Sequence, residues 1–236
     1  MQELLSNLSI QVNDHIFLKN PESSDLGKKI IQGGIELMDE RGFEAFTFSK
    51  LAKKINSTEA SIYRYFESKH KFLLFLTIWY WGWMEYRLVF ALANILSPED
   101  RVSRAIHLLT EDVNEMGNFP HIDQIKLYRI VISESSKAYF TKEVDQENKE
   151  GCFSGYKRIV KRVSDIILEI NPDYMYPHML ISTVIEGAHH QRYFAEHLPK
   201  LTDEIKDGDA VTKFYTEMVF KAIKEDLPDI SPEQKT

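Results

Sequence analysis

The chain reads as an all-α protein, a small N-terminal helix-turn-helix unit followed by a larger helical bundle. Three observations predict this. Apolar residues recur at helical spacing in segment after segment, most regularly in Tyr156, Ile159, Val160, Val163, Ile166, Ile167 and Ile170. No run alternates apolar and polar residues over a strand's length. Capping residues and breakers stand where the periodic runs begin and end: Gly42, Thr47, Thr58, Ser68, Pro98 and Asn171-Pro172. The 236 residues suffice for a small domain plus a larger one. The expected divisions are an extension over 1–25, a helix-turn-helix domain over 26–72 and a helical domain over 73–236.

In chain order, the extension ends in the turn-like Asn20-Pro21-Glu22-Ser23-Ser24. A helix is expected from Leu26 to Arg41, with Ile30, Ile31, Ile35, Leu37 and Met38 inward and Gly42 as its stop. Two short helices follow, then a long one from Ser68 to about Leu96. Further helices are expected near 98–116, 120–140 and 154–170, then from Tyr174 to His197 with Pro177 in its first turn. The last spans Asp209 to Asp226. The polar run Thr141 to Gly151 is the candidate loop or lid.

Composition narrows the class. The net charge is −7 and Cys152 is the only cysteine, so neither an intrachain disulfide nor a Cys-based zinc site can form. The first fifteen residues lack the basic start and apolar run of a signal peptide, and a cytoplasmic location is expected. Phe72 to Met84 carries no charge and three tryptophans, but its thirteen residues fall short of the ~20 that span a membrane. A buried central helix is the better reading, and no membrane partner is expected.

Phe43 to Leu73 is the stretch that points to chemistry. Thr47 can cap the apolar pattern Phe48, Leu51, Ala52 and Ile55, and Asn56 tolerates the left-handed conformation of a tight turn. Thr58 can cap a second helix whose Ile62 and Phe66 face inward. Glu59, Ala60, Ser61, Tyr63 and Arg64 remain on its outer side. Small Ala60 and Ser61 let a helix enter a major groove, hydroxyls bond either base type, and Glu59 can accept from a cytosine amino group. Thr47, Lys50, Tyr63, Tyr65 and Lys69 suit phosphate oxygens, which position a module without reading sequence. Any one of these residues can equally be a solvated surface position; the constellation favours double-stranded DNA. From Thr47 to Lys71 six Lys/Arg face two Glu, a +4 island in a chain whose remainder carries −11.

These residues resemble the DNA-binding domain of the TetR/AcrR family of transcriptional regulators. The family's slots are filled, without a gap, by Gly42-Phe43, Thr47, Leu51-Ala52, Asn56-Ser57-Thr58, Ala60, Ile62-Tyr63, Tyr65-Phe66, Lys69 and Leu73. The match covers about a fifth of the chain. Two departures stand out: Ser57 replaces an apolar residue at the turn, and Glu59 puts a negative charge at the mouth of the recognition helix.

The resemblance implies a small-molecule pocket in the larger domain. The aromatics of the long helix and its neighbours, Trp79, Trp83, Tyr86, Phe90, His189 and Tyr193, are its candidate lining for an apolar or amphipathic effector. It also implies that the last two helices pair with their symmetry mates. The stripe Val211, Phe214, Tyr215, Met218, Val219 and Ile223 fits such a homodimer seam, although burial in its own domain would give the same stripe. A homodimeric repressor on a palindromic operator follows by resemblance. The alternative is a regulator of the same fold without an effector, its larger domain serving dimerisation or a protein partner.

Enzymatic readings are weak. Gly151-Cys-Phe-Ser-Gly155 has its serine one place late for a nucleophile elbow, and no strand precedes it. Cys152 reads as a small buried hydrophobe. Glu186 and His190 are an i, i+4 pair beside His189 and Arg192, but two ligands on one helix are poor evidence for a metal, and helix–helix hydrogen bonding accounts for them. No Gly-rich phosphate loop is present. No catalytic residue, metal or cofactor is expected.

Overall fold

The computed structural model describes residues 10, 12–113, 119–206 and 208–224. The described residues are helical without strands. A head is built from α1 (Asp25–Ala45), α2 (Phe48–Lys54), α3 (Glu59–Tyr63) and the first turn of the helix that follows, from its cap Ser68 to Phe72. The bundle comprises α4 (Lys69–Leu92), α5 (Pro98–Thr110), α6 (Gln124–Glu134), α7 (Ser136–Tyr139), α8 (Val144–Lys149), α9 (Ser154–Ile170), α10 (Pro177–His197) and α11 (Ala210–Lys224).

Local chemistry sets most helix ends. Ser24, Thr47, Thr58, Ser68, Ser97 and Asp123 each accept a backbone N–H from the helix they open, satisfying donors that have no partner within it. Gly42 takes φ +72°, which ends the straight part of α1 and lets Phe46 N–H bond back to Gly42 and Phe43 carbonyls. Asn56 turns the chain between α2 and α3 at φ +52°.

α4 is the axis of the bundle. Phe72 to Leu76, Trp79, Tyr80, Trp81, Trp83, Met84 and Leu88 are buried on it, and it packs against α5, α6, α7 and α9. A helix apolar on all sides needs neighbours on all sides. Among the described residues no helix is long and apolar enough to cross a membrane. α10 packs on α5, α6, α9 and α11. A Cβ at Gly187 would stand 2.2 Å from the Tyr215 hydroxyl, so glycine is what admits the Tyr215 ring between α10 and α11.

Several elements differ from expectation. α4 stops at Leu92, because Ala93 is extended and Asn94 takes φ +62°. The helix expected over 98–116 ends at Thr110, where Glu111 turns extended; residues 114–116 lie outside the described residues. The segment 120–140 divides into α6 and α7, and α6 begins only where Asp123 can cap it. The polar run 141–151 is no open loop. It forms α8, whose Glu147 is buried. The final helix is seen to Lys224, and its expected end at Asp226 lies outside the described residues.

Candidate nucleic-acid interface

The recognition unit is assembled from short-range bonds. The Thr47 hydroxyl accepts Lys50 N–H at 3.3 Å. Ser57 N–H reaches the Ala52 carbonyl at 2.9 Å and closes the turn. The Thr58 hydroxyl accepts Ser61 N–H at 3.2 Å and pairs with the Ser61 hydroxyl at 2.8 Å. Ile62 and Phe66 are fully buried, anchoring α3 from below. Glu59 and Ala60 are exposed at the start of α3, and Arg64 is exposed at its end. Tyr63 is half exposed, its ring edge-on to Phe48 at 5.1 Å. Thr47, Lys50, Lys53 and Thr58 are also exposed on this side. The surface is narrow, cationic at its flanks and carries one carboxylate at its leading end.

Two residues expected on this face are elsewhere. Tyr65 is only 3% exposed, and its hydroxyl pairs with Ser24 at 2.8 Å. Its side chain packs the N-terminal segment onto the head and is withdrawn from the phosphate contacts. Lys69 turns back under α1. Its ammonium donates to the carbonyls of Phe43 and Glu44 at 3.0 and 3.3 Å and sits over the Phe43 ring. A cation there complements the carbonyls that point out of the C-terminal end of α1. Lys71 likewise faces the bundle, and Lys54 pairs with Glu36 at 3.0 Å. Among the described residues Lys50, Lys53 and Arg64 have no carboxylate partner, so the basic island presents fewer outward charges than its composition suggests.

The head is joined to the bundle by polar contacts that short-range reasoning misses. Glu134 of α6, 8% exposed, accepts Phe43 N–H at 2.9 Å just past the Gly42 break. Arg129 grips Asp39 of α1 through two bonds of 2.8 and 2.7 Å. Glu147 of α8 accepts from Lys71 at 3.0 Å and lies 3.0 Å from His70 Nε2. The N-terminal segment adds a further link: Ile16 is buried, Phe17 packs edge-on to Phe75, and Leu18 N–H donates to the Tyr65 carbonyl at 2.8 Å.

The candidate pocket residues do not share one cavity. Trp79 and Trp83 are buried, stacked on each other at 6.4 Å. Tyr86 is half-buried against Phe90 at 4.5 Å, and Phe90 is 63% exposed, which removes it from any interior lining. His189 and Tyr193 do meet, in a cleft of about 380 Å³ with Ser133, Ser136, Glu186 and His190. His189 is buried, which lowers its pKa to about 4, and it stays neutral. Arg192 leaves this cluster and clamps the Thr110 carbonyl and Asp209. Glu186 accepts the Tyr156 hydroxyl at 2.9 Å, and His190 stacks on Phe194. Among the described residues no three His, Cys, Asp or Glu side chains are grouped to hold a metal. Burial, aided by the Glu147 carboxylate, pushes the Cys152 thiol up to about 11 and leaves it protonated.

The candidate dimer stripe is corrected in part. Val211, Tyr215, Val219 and Ile223 are buried within this subunit, against α5 and α10. Met218 is half-buried on the same core, and only Phe214, 57% exposed, points clearly outward. The stripe is apolar because it closes its own bundle.

Residues 30–74 match the family described as "Bacterial regulatory proteins, tetR family". No curated protein matches the chain in sequence. Similar solved structures include the ketosteroid transcriptional regulator KstR2 of Mycobacterium tuberculosis (12% identity, 92% of this chain and 97% of that one, TM-score 0.53). They also include FadR from Bacillus subtilis in complex with stearoyl-CoA (14%, 83% and 97%, TM-score 0.53). The superantigen PfiT is a third (16%, 88% and 100%, TM-score 0.56). At such identities the structures speak for the fold alone, and PfiT shows that the fold hosts other activities. The family match falls on the capped helix-turn-helix with its exposed α3 face, so it is this segment that is similar to the tetR-family regulators.

Proposed function

We propose that the chain is a ligand-responsive repressor that binds a palindromic operator as a homodimer. The observation that carries the DNA reading is the exposed leading turn of α3, with Glu59 and Ala60 outward, over a fully buried Ile62. Two such heads related by a two-fold axis would enter successive major grooves. The base-reading set is Thr58, Glu59, Ala60 and Ser61, and the phosphate set is Thr47, Lys50, Tyr63 and Arg64. Outward residues of α10 and α11, Met179 and Phe214 among them, supply the exposed apolar surface for pairing. Effector response is supported by openings in the bundle wall beside α7 to α10 and by the few, specific polar links through which the bundle holds the head. An effector acts by binding one arrangement of those links better than the other.

Mobility shift on the chain's own upstream DNA tests the reading. A saturable, sequence-selective shift with two-fold protection of the site is expected, and binding that ignores sequence would defeat it. Phe214→Glu is expected to shift sedimentation toward monomer and abolish the specific complex while helical circular dichroism is kept.

A further inference from the structure

A groove opens between α7, α8, α9 and the start of α10. Its volume is about 640 Å³, within the range that holds small organic ligands. Tyr139, Phe153, Tyr156, Val144 and Val160 make it largely apolar. Both tyrosine hydroxyls are already engaged: Trp81 Nε1 donates to Tyr139 at 2.6 Å, and Tyr156 donates to Glu186 at 2.9 Å. Trp81 lies flat on Tyr156 at 4.2 Å and braces the floor from behind. The wall also carries charge. Lys161 is held by Asp165 at 2.6 Å, whereas Lys157 donates only to the neutral amide of Asn148 and has no carboxylate partner among the described residues. Asp145 is the single acid lining the groove, so one negative group beside Lys157 is favoured over a multiply charged head.

The same α8 that walls the groove touches the head. Its Val144, Asp145 and Asn148 line the groove, while Glu147 is 1% exposed and bonded to Lys71 and His70 in the first turn of α4. That turn begins at Ser68, directly after the recognition helix and its buried Phe66. Just beyond α8 the Glu150 carbonyl accepts from Asn13, in the N-terminal segment that runs on to the Leu18–Tyr65 bond. α8 and the residue that follows it therefore contact both connections to the end of α3.

We propose that this groove is the effector site, that it takes a small amphipathic molecule with one anionic group, and that α8 conveys its occupancy to the head through Glu147. The proposal rests on the effector-responsive reading above. The apolar body lies on Tyr139, Phe153 and Tyr156, the anionic group meets Lys157, and a filled groove bears on α8.

Two dyes with the same aromatic body test it on the full chain: 8-anilinonaphthalene-1-sulfonate, which is anionic, and N-phenyl-1-naphthylamine, which is not. Wild type is expected to bind the sulfonate about tenfold more tightly, a difference of the size one favourable charge contact supplies. Lys157→Gln should erase that preference and leave the neutral dye unchanged. Val144→Trp, which fills the groove, should weaken both dyes at least about tenfold; Asn148→Trp does the same from a more exposed position and guards against misfolding of the first variant. Saturating sulfonate should also alter amide exchange in the first turn of α4. Dye binding indifferent to both tryptophan variants overturns the site. Equal affinity for the two dyes overturns the anionic head. Exchange that changes only around α8 overturns the coupling. The titrations need no DNA, so groove binding in a chain that ignores DNA would sink the regulatory reading and leave the site standing. Selective DNA binding without groove binding would do the reverse.

Discussion

The head and its joint with the bundle use polar side chains in opposite ways. Within the head they act locally: Thr47, Thr58 and Ser68 each bond an N–H three residues ahead and fix where a helix starts. At the joint they act across the chain. Glu134 bonds Phe43, Arg129 bonds Asp39 and Glu147 bonds Lys71, over separations of 91, 90 and 76 residues. A cap shapes one helix and faces water, whereas a joint bond holds two bodies in register, and those of Glu134 and Glu147 are made by buried carboxylates. Losing a cap should therefore fray an element, and losing a joint bond should loosen the head as a unit.

The largest expected effect is at Glu147. Its side chain is 2% exposed and those of its two neighbours, Lys71 and His70, about a fifth. Glu147→Ala leaves Lys71 shielded without a counter-charge, and breaking a buried pair from one side costs on the order of 3 kcal/mol. Urea denaturation should show that loss. The double variant Glu147→Leu with Lys71→Met should recover a good part of it, because the pair's main liability is the orphaned charge. A single variant costing less than about 1 kcal/mol, the range of an exposed pair, would make this joint no stronger than a surface contact and erase the contrast.

His189 gives the bundle its own signature. Burial, with a smaller push from His190, lowers its pKa to about 4, against an ordinary value of 6.5. The unfolded chain therefore binds the proton more readily than the folded one between these values. Stability is fully present above pH 6.5 and falls as pH drops toward 4, by up to ~3 kcal/mol from this group. Denaturant midpoints measured across that window should flatten in His189→Gln, which cannot take the proton. The same slope in wild type and variant would assign the acid sensitivity to other groups.

These two tests concern residues whose roles the sequence leaves dark, for one physical reason. Thr47, Asn56, Thr58, Ser68 and Gly42 act on neighbours within five residues, so their identity and spacing specify their geometry, and the structure follows the expectation at each. The central helix is equally legible, since a stretch with no polar face must be surrounded. Glu147 sits in a polar run that reads as a loop until Lys71 and His70 arrive from 76 and 77 residues away. Tyr65 and Lys69 occupy positions next to the exposed turn of the helix-turn-helix, but which way they point is decided by Ser24 and by the Phe43 and Glu44 carbonyls of α1. The stripe on α11 shows the same limit. Periodicity finds an apolar face and cannot say whether it is covered by the same subunit or by another.

Caps sit lower on the scale. Thr58→Ala removes the acceptor for Ser61 N–H at the start of a five-residue helix, with an expected cost of about 1 kcal/mol. The fold as a whole should survive it, while amide exchange rises at residues 59–63. DNA affinity should drop further than stability if the frayed turn is the one that enters the groove, as proposed. A uniform rise in exchange across α1, α2 and α3 would show the head responding as one body to a cap, and the distinction from the joint would fail.

The smallest expected effect separates lysines that point outward from those that point inward. Binding to DNA should weaken linearly in log salt, with a slope of about −0.9 for each phosphate neutralised. Lys50 and Lys53 are exposed beside the recognition unit, and Lys50 is only lightly tethered, to the Ala45 carbonyl at 2.7 Å. Lys50→Ala or Lys53→Ala should flatten the slope by about one unit and weaken all sequences alike. Lys69 is engaged with the Phe43 and Glu44 carbonyls, so Lys69→Ala should lower stability and leave the slope where it was. A slope that flattens for Lys69→Ala would mean that its ammonium leaves those carbonyls when DNA arrives. The end of α1 would then give up a contact on binding, and Lys69 would belong to the interface after all.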